Sequence, residues 1–279
     1  MAAVDRFVTT EWLNSHLQNE NVRIIDIRGR VMPASEPPPH YYSHYQDYET
    51  SHIPGAIFVD WTTDIVEPGS PSYDIANPER YGKLMSKLGV SAETHVVAYD
   101  DANGMFAARL WWTLQYYGHE RVSVLAGGWQ KWIAEDRSIT SVIPSIERAI
   151  FEPHIQSQFH AAASDILASS NLLLIDTRSP AEFAGESSRA SRAGHIPGAA
   201  NIPRKSLLDV NGELLAADQL RTKFAAIGAN APKETVVYCN SGVSASFVMM
   251  AMLEAGFESV RVYDGSWKDW ANNPDNPVE

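Results

Sequence analysis

The 279-residue chain repeats itself, and that repetition constrains its fold more than any other feature. Arg23-Ile24-Ile25-Asp26-Ile27-Arg28 resembles Leu173-Leu174-Ile175-Asp176-Thr177-Arg178. The tetrad His52-Ile53-Pro54-Gly55 recurs intact as His195-Ile196-Pro197-Gly198. The run from Gly118 to Val124 matches Gly256 to Val262, and Gly127-Gly128-Trp129 with Trp132 matches Gly265-Ser266-Trp267 with Trp270. The last two matches share one offset, Gly118 to Gly256 and Trp129 to Trp267. Chance yields one such match, not four in the same order, so the chain is read as a duplicated domain.

Both halves predict the same layout. A short apolar run ends in Asp-X-Arg, at Asp26 and Asp176. A loop leads to His-Ile-Pro-Gly, then to a helix around Arg80 to Leu88 or Asp218 to Ile227. A β-branched strand follows, His95 to Tyr99 or Thr235 to Tyr238. A loop of small residues then opens a helix-length segment that stops at Gly118 or Gly256. A last strand, Val122 to Leu125 or Val260 to Tyr263, precedes Gly-X-Trp and a final helix. Alternating strands and helices give an α/β fold of two tandem domains, each a parallel sheet flanked by helices. The expected boundaries are a non-catalytic domain over 1–142, a linker over 143–158 with Pro144 and Pro153, and a catalytic domain over 159–279. Ligands of such sheets bind beyond the carboxyl ends of the strands.

Composition narrows the function classes. The formal net charge is −12, whereas a nucleic-acid binder needs a basic face, so no nucleic acid is expected as partner. A single cysteine excludes an internal disulfide and suits a reducing compartment. The N-terminus lacks a basic region followed by an apolar run, and no stretch approaches 18 uninterrupted apolar residues. The expectation is a cytoplasmic protein with no membrane partner. The nine His and one Cys show no metal-ligand spacing and no glycine-rich phosphate motif is present, so no metal and no cofactor are expected. The paired tryptophans are most simply core or domain-interface residues.

A duplication also compares its own halves. After Tyr99 the first half reads Asp100-Asp101-Ala102-Asn103-Gly104; after Tyr238 the second reads Cys239-Asn240-Ser241-Gly242-Val243-Ser244-Ala245. The lone thiol therefore sits at the carboxyl end of a strand, in a loop running into a helix. An ordinary lone cysteine is an inert buried hydrophobe. At this junction, backbone N–H groups and the helix N-terminus converge on one atom and favour the nucleophilic thiolate. A cysteine phosphatase would need an arginine about six residues on to clamp phosphate, but Ala245 stands there and no Arg occurs between Cys239 and Arg261. A sulfur carrier needs only the thiolate, a cradle for the persulfide and room for a small donor. His52 and His195, Asp26 and Asp176, and Arg28 and Arg178 occur in both halves, which favours structural roles. The stretch Pro33 to Thr50 lengthens the first half's loop and reads either as a variable surface loop or as a lid.

These marks together, Asp-X-Arg, His-Ile-Pro-Gly-Ala, Tyr-Cys-X-X-Gly and Asp-Gly-Ser-Trp, resemble the tandem-domain rhodanese-type sulfurtransferases along essentially the whole chain. The resemblance implies a persulfide on Cys239, an inactive first domain with Asp100 in its place, a small anionic sulfur donor, and a thiol acceptor such as a dithiol or a thioredoxin-like protein. Asn240, Gly242, Val243, Ser244 and Ala245 would form the donor cradle. The loop has no basic residue and is similar to that of mercaptopyruvate-preferring members, with Asn240 for Gly and Ser244 for Thr. In those members a loop serine, here Ser241, pairs with the first-half tetrad histidine, here His52, with Asp47 or Glu49 as the acid behind it. Two arginines hold the donor carboxylate. Glu182 replaces the first, and the second falls to Arg189 or Arg192. The alternatives are a thiosulfate-preferring enzyme and a non-catalytic sulfur-relay module.

Overall fold

The computed structural model describes residues 4–169, 171–229 and 234–279. It divides into two compact units. The first holds the described residues of Met1–Val31, Tyr41–Pro68 and Ile75–Gln156. The second holds Met32–His40, Gly69–Asp74 and the described residues of Ser157–Glu279. Most of the expected linker belongs to the first unit because its backbone bonds there. Ala149 N–H donates to Ser86 O (2.9 Å), His154 N–H to Tyr117 O (3.0 Å) and Gln156 N–H to Tyr116 O (2.8 Å). The stretch expected as a loop or lid, Pro33 to Thr50, is divided. Residues 33–40 join the second unit, and the remainder builds structure in the first.

The first unit is a five-stranded parallel sheet made of β1 (Phe7–Val8), β2 (Val22–Asp26), β5 (Ile57–Phe58), β6 (His95–Tyr99) and β7 (Val122–Leu125), with β3 (Gly29–Val31) and β4 (Tyr41–Ser43) as an antiparallel pair beside it. Its spatial order is β1-β7-β6-β2-β5. Helices α1 (Thr10–His16), α2 (Tyr45–Thr50), α3 (Pro78–Lys87), α4 (Met105–Tyr116) and α5 (Gly128–Ala134) connect the strands. Every residue of β6 is buried, as expected of a strand covered on both faces. Helix α3 begins at Pro78, preorganised at the first helical position, and the Asn77 side chain accepts from Arg80 N–H at 3.1 Å.

The second unit repeats the plan with β8 (His160–Ala161), β9 (Leu173–Asp176), β10 (Ala200–Asn201), β11 (Thr235–Tyr238) and β12 (Val260–Tyr263). Its order, β10-β9-β11-β12-β8, is that of the first unit read from the other edge. Its helices are α6 (Ala163–Ala168), α7 (Pro180–Phe183), α8 (Ala217–Ala226), α9 (Val243–Glu254) and α10 (Ser266–Asn272). The cores correspond residue for residue. Ile24, Ile53, Val97, Tyr99 and Trp132 in one unit answer to Leu174, Ile196, Val236, Tyr238 and Trp270 in the other.

The shared Asp-X-Arg motif is a buried anchor. Asp26 accepts from Arg28 Nε at 2.9 Å and from the Tyr99 hydroxyl at 2.6 Å, while Arg28 Nη2 donates to Ser51 O at 2.7 Å. In the second unit Arg178 Nε donates to Asp176 at 3.0 Å and Nη2 reaches Gly194 O at 2.8 Å. Each guanidinium thus bridges the end of β2 or β9 to the residue just before the His-Ile-Pro-Gly turn. Burial pushes the Asp26 carboxyl above its ordinary range, and Arg28 opposes this. Breaking such a pair would strand a buried charge, at a cost of about 3–5 kcal/mol.

Candidate active site

Cys239 follows directly on β11, with 4% of its surface exposed. The next three residues turn the chain, Gly242 takes a left-handed φ of 72°, and α9 begins at Val243. A β-carbon would strain that backbone. Among the described residues, the amides of Ser241, Val243, Ser244 and Ala245 donate to no acceptor in the protein. Three of these are the orphan donors of a helix's first turn, where negative charge is favoured.

The first unit shows the same device filled. Asp100 occupies the position of Cys239, and Gly104 with φ 79° begins α4 as Gly242 begins α9. The buried Asp100 carboxylate accepts four backbone N–H groups: Ala102 (2.8 Å) and Gly104 (2.9 Å) on one oxygen, Phe106 (2.7 Å) and Ala107 (2.9 Å) on the other. Counted from the left-handed glycines, Phe106 and Ala107 correspond to Ser244 and Ala245. The loop–helix junction is therefore an anion cradle. One copy carries its own anion, and the other places a thiol beside unpartnered amides.

Ser266 holds the cysteine loop, and sequence reading missed it. Its hydroxyl oxygen accepts from Cys239 N–H (3.0 Å) and Gly242 N–H (3.1 Å) while its O–H donates to Tyr263 O (2.7 Å). Its φ is 54°, a conformation that costs a non-glycine residue of order 1–3 kcal/mol. The corresponding residue in the first unit is Gly128, also at φ 54°. A serine standing where the other half has a left-handed glycine was the available signal. Two further bonds clasp α10 to the loop, Trp267 N–H to Cys239 O (2.9 Å) and Lys268 N–H to Asn240 O (3.2 Å).

Glu182 and Asn240, two of the departures from the mercaptopyruvate pattern, explain each other. Asn240 Nδ2 donates to Glu182 Oε1 at 2.7 Å, so a loop asparagine meets a carboxylate where that pattern has glycine and arginine. Glu182 also accepts from Arg189 Nη1 (2.5 Å) and from the Ser179 hydroxyl that caps α7 (2.9 Å). The sequence suggests that Glu182 repels a substrate carboxylate. In the structure its charge is matched by Arg189, whose other donors bind Met32 O at 2.6 and 3.2 Å. Arg192 makes other bonds. It donates to the carbonyls of Trp270, Ala271, Asn273 and Asn276 and so ties down the C-terminal segment.

Ser241 is buried and Ser244 exchanges a hydrogen bond with Thr177 at 2.9 Å. His52 belongs to the first unit, where its ring stacks on Tyr48 and its nitrogens lie against Tyr48 O (2.7 Å) and Val142 O (3.2 Å). His195 repeats the pattern with Phe183 O at 2.9 Å and the Phe183 ring. The acid expected behind His52 is replaced by a backbone carbonyl. Among the described residues no helix is long and apolar enough to cross a membrane, and no group of three or more His, Cys, Asp or Glu is placed to hold a metal.

Comparison with known proteins agrees with this reading. The family model for the rhodanese-like domain matches twice, over residues 9–135 and 160–273. The chain is 34% identical to the sulfur carrier protein TtuD of Thermus thermophilus, covering 97% of this chain and 95% of that protein. It is 32% identical to the 3-mercaptopyruvate sulfurtransferase of Escherichia coli K12, over 98% of this chain and 97% of that one. It is also 32% identical to a putative thiosulfate sulfurtransferase of Haloferax volcanii, over 99% and 97%. The crystal structure of SseA from Escherichia coli, a 3-mercaptopyruvate sulfotransferase, superposes with a TM-score of 0.83 at 32% identity, covering 95% of this chain and 99% of that one. The duplicated sheet, the cysteine loop and these likenesses lead to one conclusion: the chain belongs to the rhodanese family and is a sulfurtransferase with two rhodanese-like domains.

Proposed function

We propose that Cys239 carries sulfur as a persulfide and that 3-mercaptopyruvate is its donor. The observation that supports this reading is the contrast between the two cradles: four amides bind the Asp100 carboxylate in one unit, and beside Cys239 the counterparts of two of them, Ser244 and Ala245, are unpartnered while the counterpart of a third, Gly242, bonds to Ser266. The Cys239 thiolate attacks the donor's sulfur. The Cys239 Sγ–S bond forms, the donor's C–S bond breaks, and its electron pair leaves with pyruvate as the enolate, which then takes up a proton. Amides of Ser241, Val243, Ser244 and Ala245 stabilise the charge on the transferred sulfur, as an oxyanion hole does. An acceptor thiolate, from a dithiol or a thioredoxin-like protein, attacks the outer sulfur and releases the Cys239 thiolate.

The loop Cys239-Asn240-Ser241-Gly242-Val243-Ser244-Ala245 carries no cation, which favours the singly charged carboxylate of 3-mercaptopyruvate over the thiosulfate dianion. The likeness to a sulfur carrier protein favours a second reading, in which the persulfide is handed to a partner protein. The deciding assay compares sulfide release from 3-mercaptopyruvate and thiosulfate with dithiothreitol as acceptor. The expected result is a higher kcat/KM for 3-mercaptopyruvate, none for Cys239→Ser, and a cyanide-labile gain of one sulfur atom, about 32 Da, on the Cys239 peptide. Turnover retained in Cys239→Ser would sink the reading.

A further inference from the structure

The two loop–helix junctions use the amide of their left-handed glycine differently. In the first unit the Gly104 amide is one of the four that hold the Asp100 carboxylate, at 2.9 Å. In the second unit the Gly242 amide donates instead to the Ser266 hydroxyl at 3.1 Å. The same hydroxyl accepts from the Cys239 amide at 3.0 Å and donates to Tyr263 O at 2.7 Å. A serine hydroxyl has one donor and two acceptor sites. All three are in use, so Ser266 has nothing left to offer the sulfur directly and acts through the amides it holds.

The residue at this position is matched to that use. Gly128 stands in the first unit where Ser266 stands in the second, and both have a φ of 54°. A β-carbon on Gly128 would collide with the Asp100 carbonyl, so the first junction excludes a side chain there unless its backbone shifts. The second loop is one residue shorter, Cys239 to Gly242 against Asp100 to Gly104, and it accepts a serine at the same φ. That backbone is unfavourable for any residue but glycine, and the three bonds of the hydroxyl offset it. The reach of the two anions also corresponds. A carboxylate oxygen and the outer sulfur of a persulfide each lie two bonds beyond the β-carbon, so the outer sulfur on Cys239, not its own Sγ, is the match for the Asp100 oxygens.

We infer that Ser266, by engaging the Gly242 amide, withholds from the Cys239 persulfide a donor that the Asp100 carboxylate uses, and so keeps the carried sulfur transferable. This deepens the persulfide reading and rests on it. An intermediate held more tightly forms more readily and is discharged more slowly, so a carrier works best with a cradle of limited strength. Ser266 is thus a positioning residue: it touches neither donor nor sulfur, and it sets how many amides face the anion. The first unit, whose anion is never released, keeps the full set and has glycine in place of the serine.

The test measures the two half-reactions apart, by rapid mixing. Loading is read as the burst of pyruvate when sulfur-free protein meets 3-mercaptopyruvate. Discharge is read as thiocyanate formed from loaded protein and cyanide: cyanide attacks the outer sulfur, the S–S bond breaks with its electron pair on Cys239 Sγ, and thiocyanate leaves. In Ser266→Gly the freed Gly242 amide should turn to the sulfur. Discharge should then slow roughly 10- to 100-fold, the range of one charge-assisted hydrogen bond, while loading stays within about threefold of the native rate or rises. An equal fall in both rates overturns the inference, since the hydroxyl would then only hold the loop. So do two unchanged rates, which would mean that water replaces the hydroxyl. Ser266→Ala, which keeps the β-carbon, repeats the arm if the glycine variant does not fold. The native protein tests the persulfide reading by itself: without a pyruvate burst and a cyanide-labile sulfur that reading fails, and the inference with it.

Discussion

Replacing Asp100 by Ala removes the anion from the filled cradle. Four amides, at 2.7 to 2.9 Å in the native protein, then lose their acceptor. A buried donor left unsatisfied costs about 1–3 kcal/mol, so the gross loss is about 4–12 kcal/mol. Two effects offset it. Burial pushes the Asp100 carboxyl above its ordinary range while the amides pull it down, so the native state bears a desolvation cost that Ala relieves. Water can also enter the vacated space and accept from two or three of the amides. The net loss is about 2–4 kcal/mol. One kcal/mol moves the midpoint of a domain this size by about 2–4 °C, so Tm should fall roughly 5–15 °C.

The cradle reasoning adds a second signature. A small anion such as formate or sulfate should occupy the vacated site of Asp100→Ala and restore stability. At ten times its Kd the recovery is about 1.4 kcal/mol. The native protein, its first cradle already filled, should respond less. Differential scanning calorimetry with and without formate reads both effects. Sulfur transfer should stay within about tenfold of the native rate, because the first unit supplies no nucleophile. A variant that melts with the native protein, or anions that stabilise the two equally, would refute the cradle.

Ser266→Ala should leave the Cys239 and Gly242 amides without their shared acceptor and lower kcat more than tenfold; Ser266→Gly should lose as much activity but melt higher, since glycine relieves the φ of 54°. Steady-state assays with thermal melts check this, and full activity in Ser266→Ala would count against the role. Glu182→Gln keeps an acceptor for Asn240 but removes the charge that pairs with Arg189, so KM for 3-mercaptopyruvate should fall several-fold. An unchanged KM would show that Arg189 does not face the donor. Burial foremost, with Arg121, His119 and His16, lowers the His95 pKa to about 4, so the unfolded chain takes up this proton near pH 6.5 and the native protein does not. The associated stability is present above pH 6.5 and is lost as pH falls toward 4, about 1 kcal/mol by pH 5 after allowance for solvent screening. His95→Gln should flatten the fall in Tm between pH 7 and 5, and parallel curves would exclude His95 as its source.

The repeat, the α/β class and the place of the lone cysteine between a strand and a helix were legible in the chain because each has a local cause. The strands at His95–Tyr99 and Thr235–Tyr238 are short β-branched runs, and duplication shows where they correspond. Cys239 stood out because the other half offers Asp100 at the same point. Helix limits shifted by a residue or two where caps decide them, as at Asn77 and Pro78.

What the tertiary structure alone decided is which distant side chains meet at the ends of the parallel strands. Asn240 binds Glu182 across 58 positions, Cys239 binds Ser266 across 27, and Arg189 binds Met32 across 157. No periodicity records such pairs, because a parallel sheet gathers the loops beyond its strand ends from segments far apart in the chain. For the same reason Glu182 reads as a repulsive charge in the sequence and as a compensated one in the fold. Arg192, the second candidate after Arg189 for the substrate clamp, bonds to four carbonyls of the C-terminal segment.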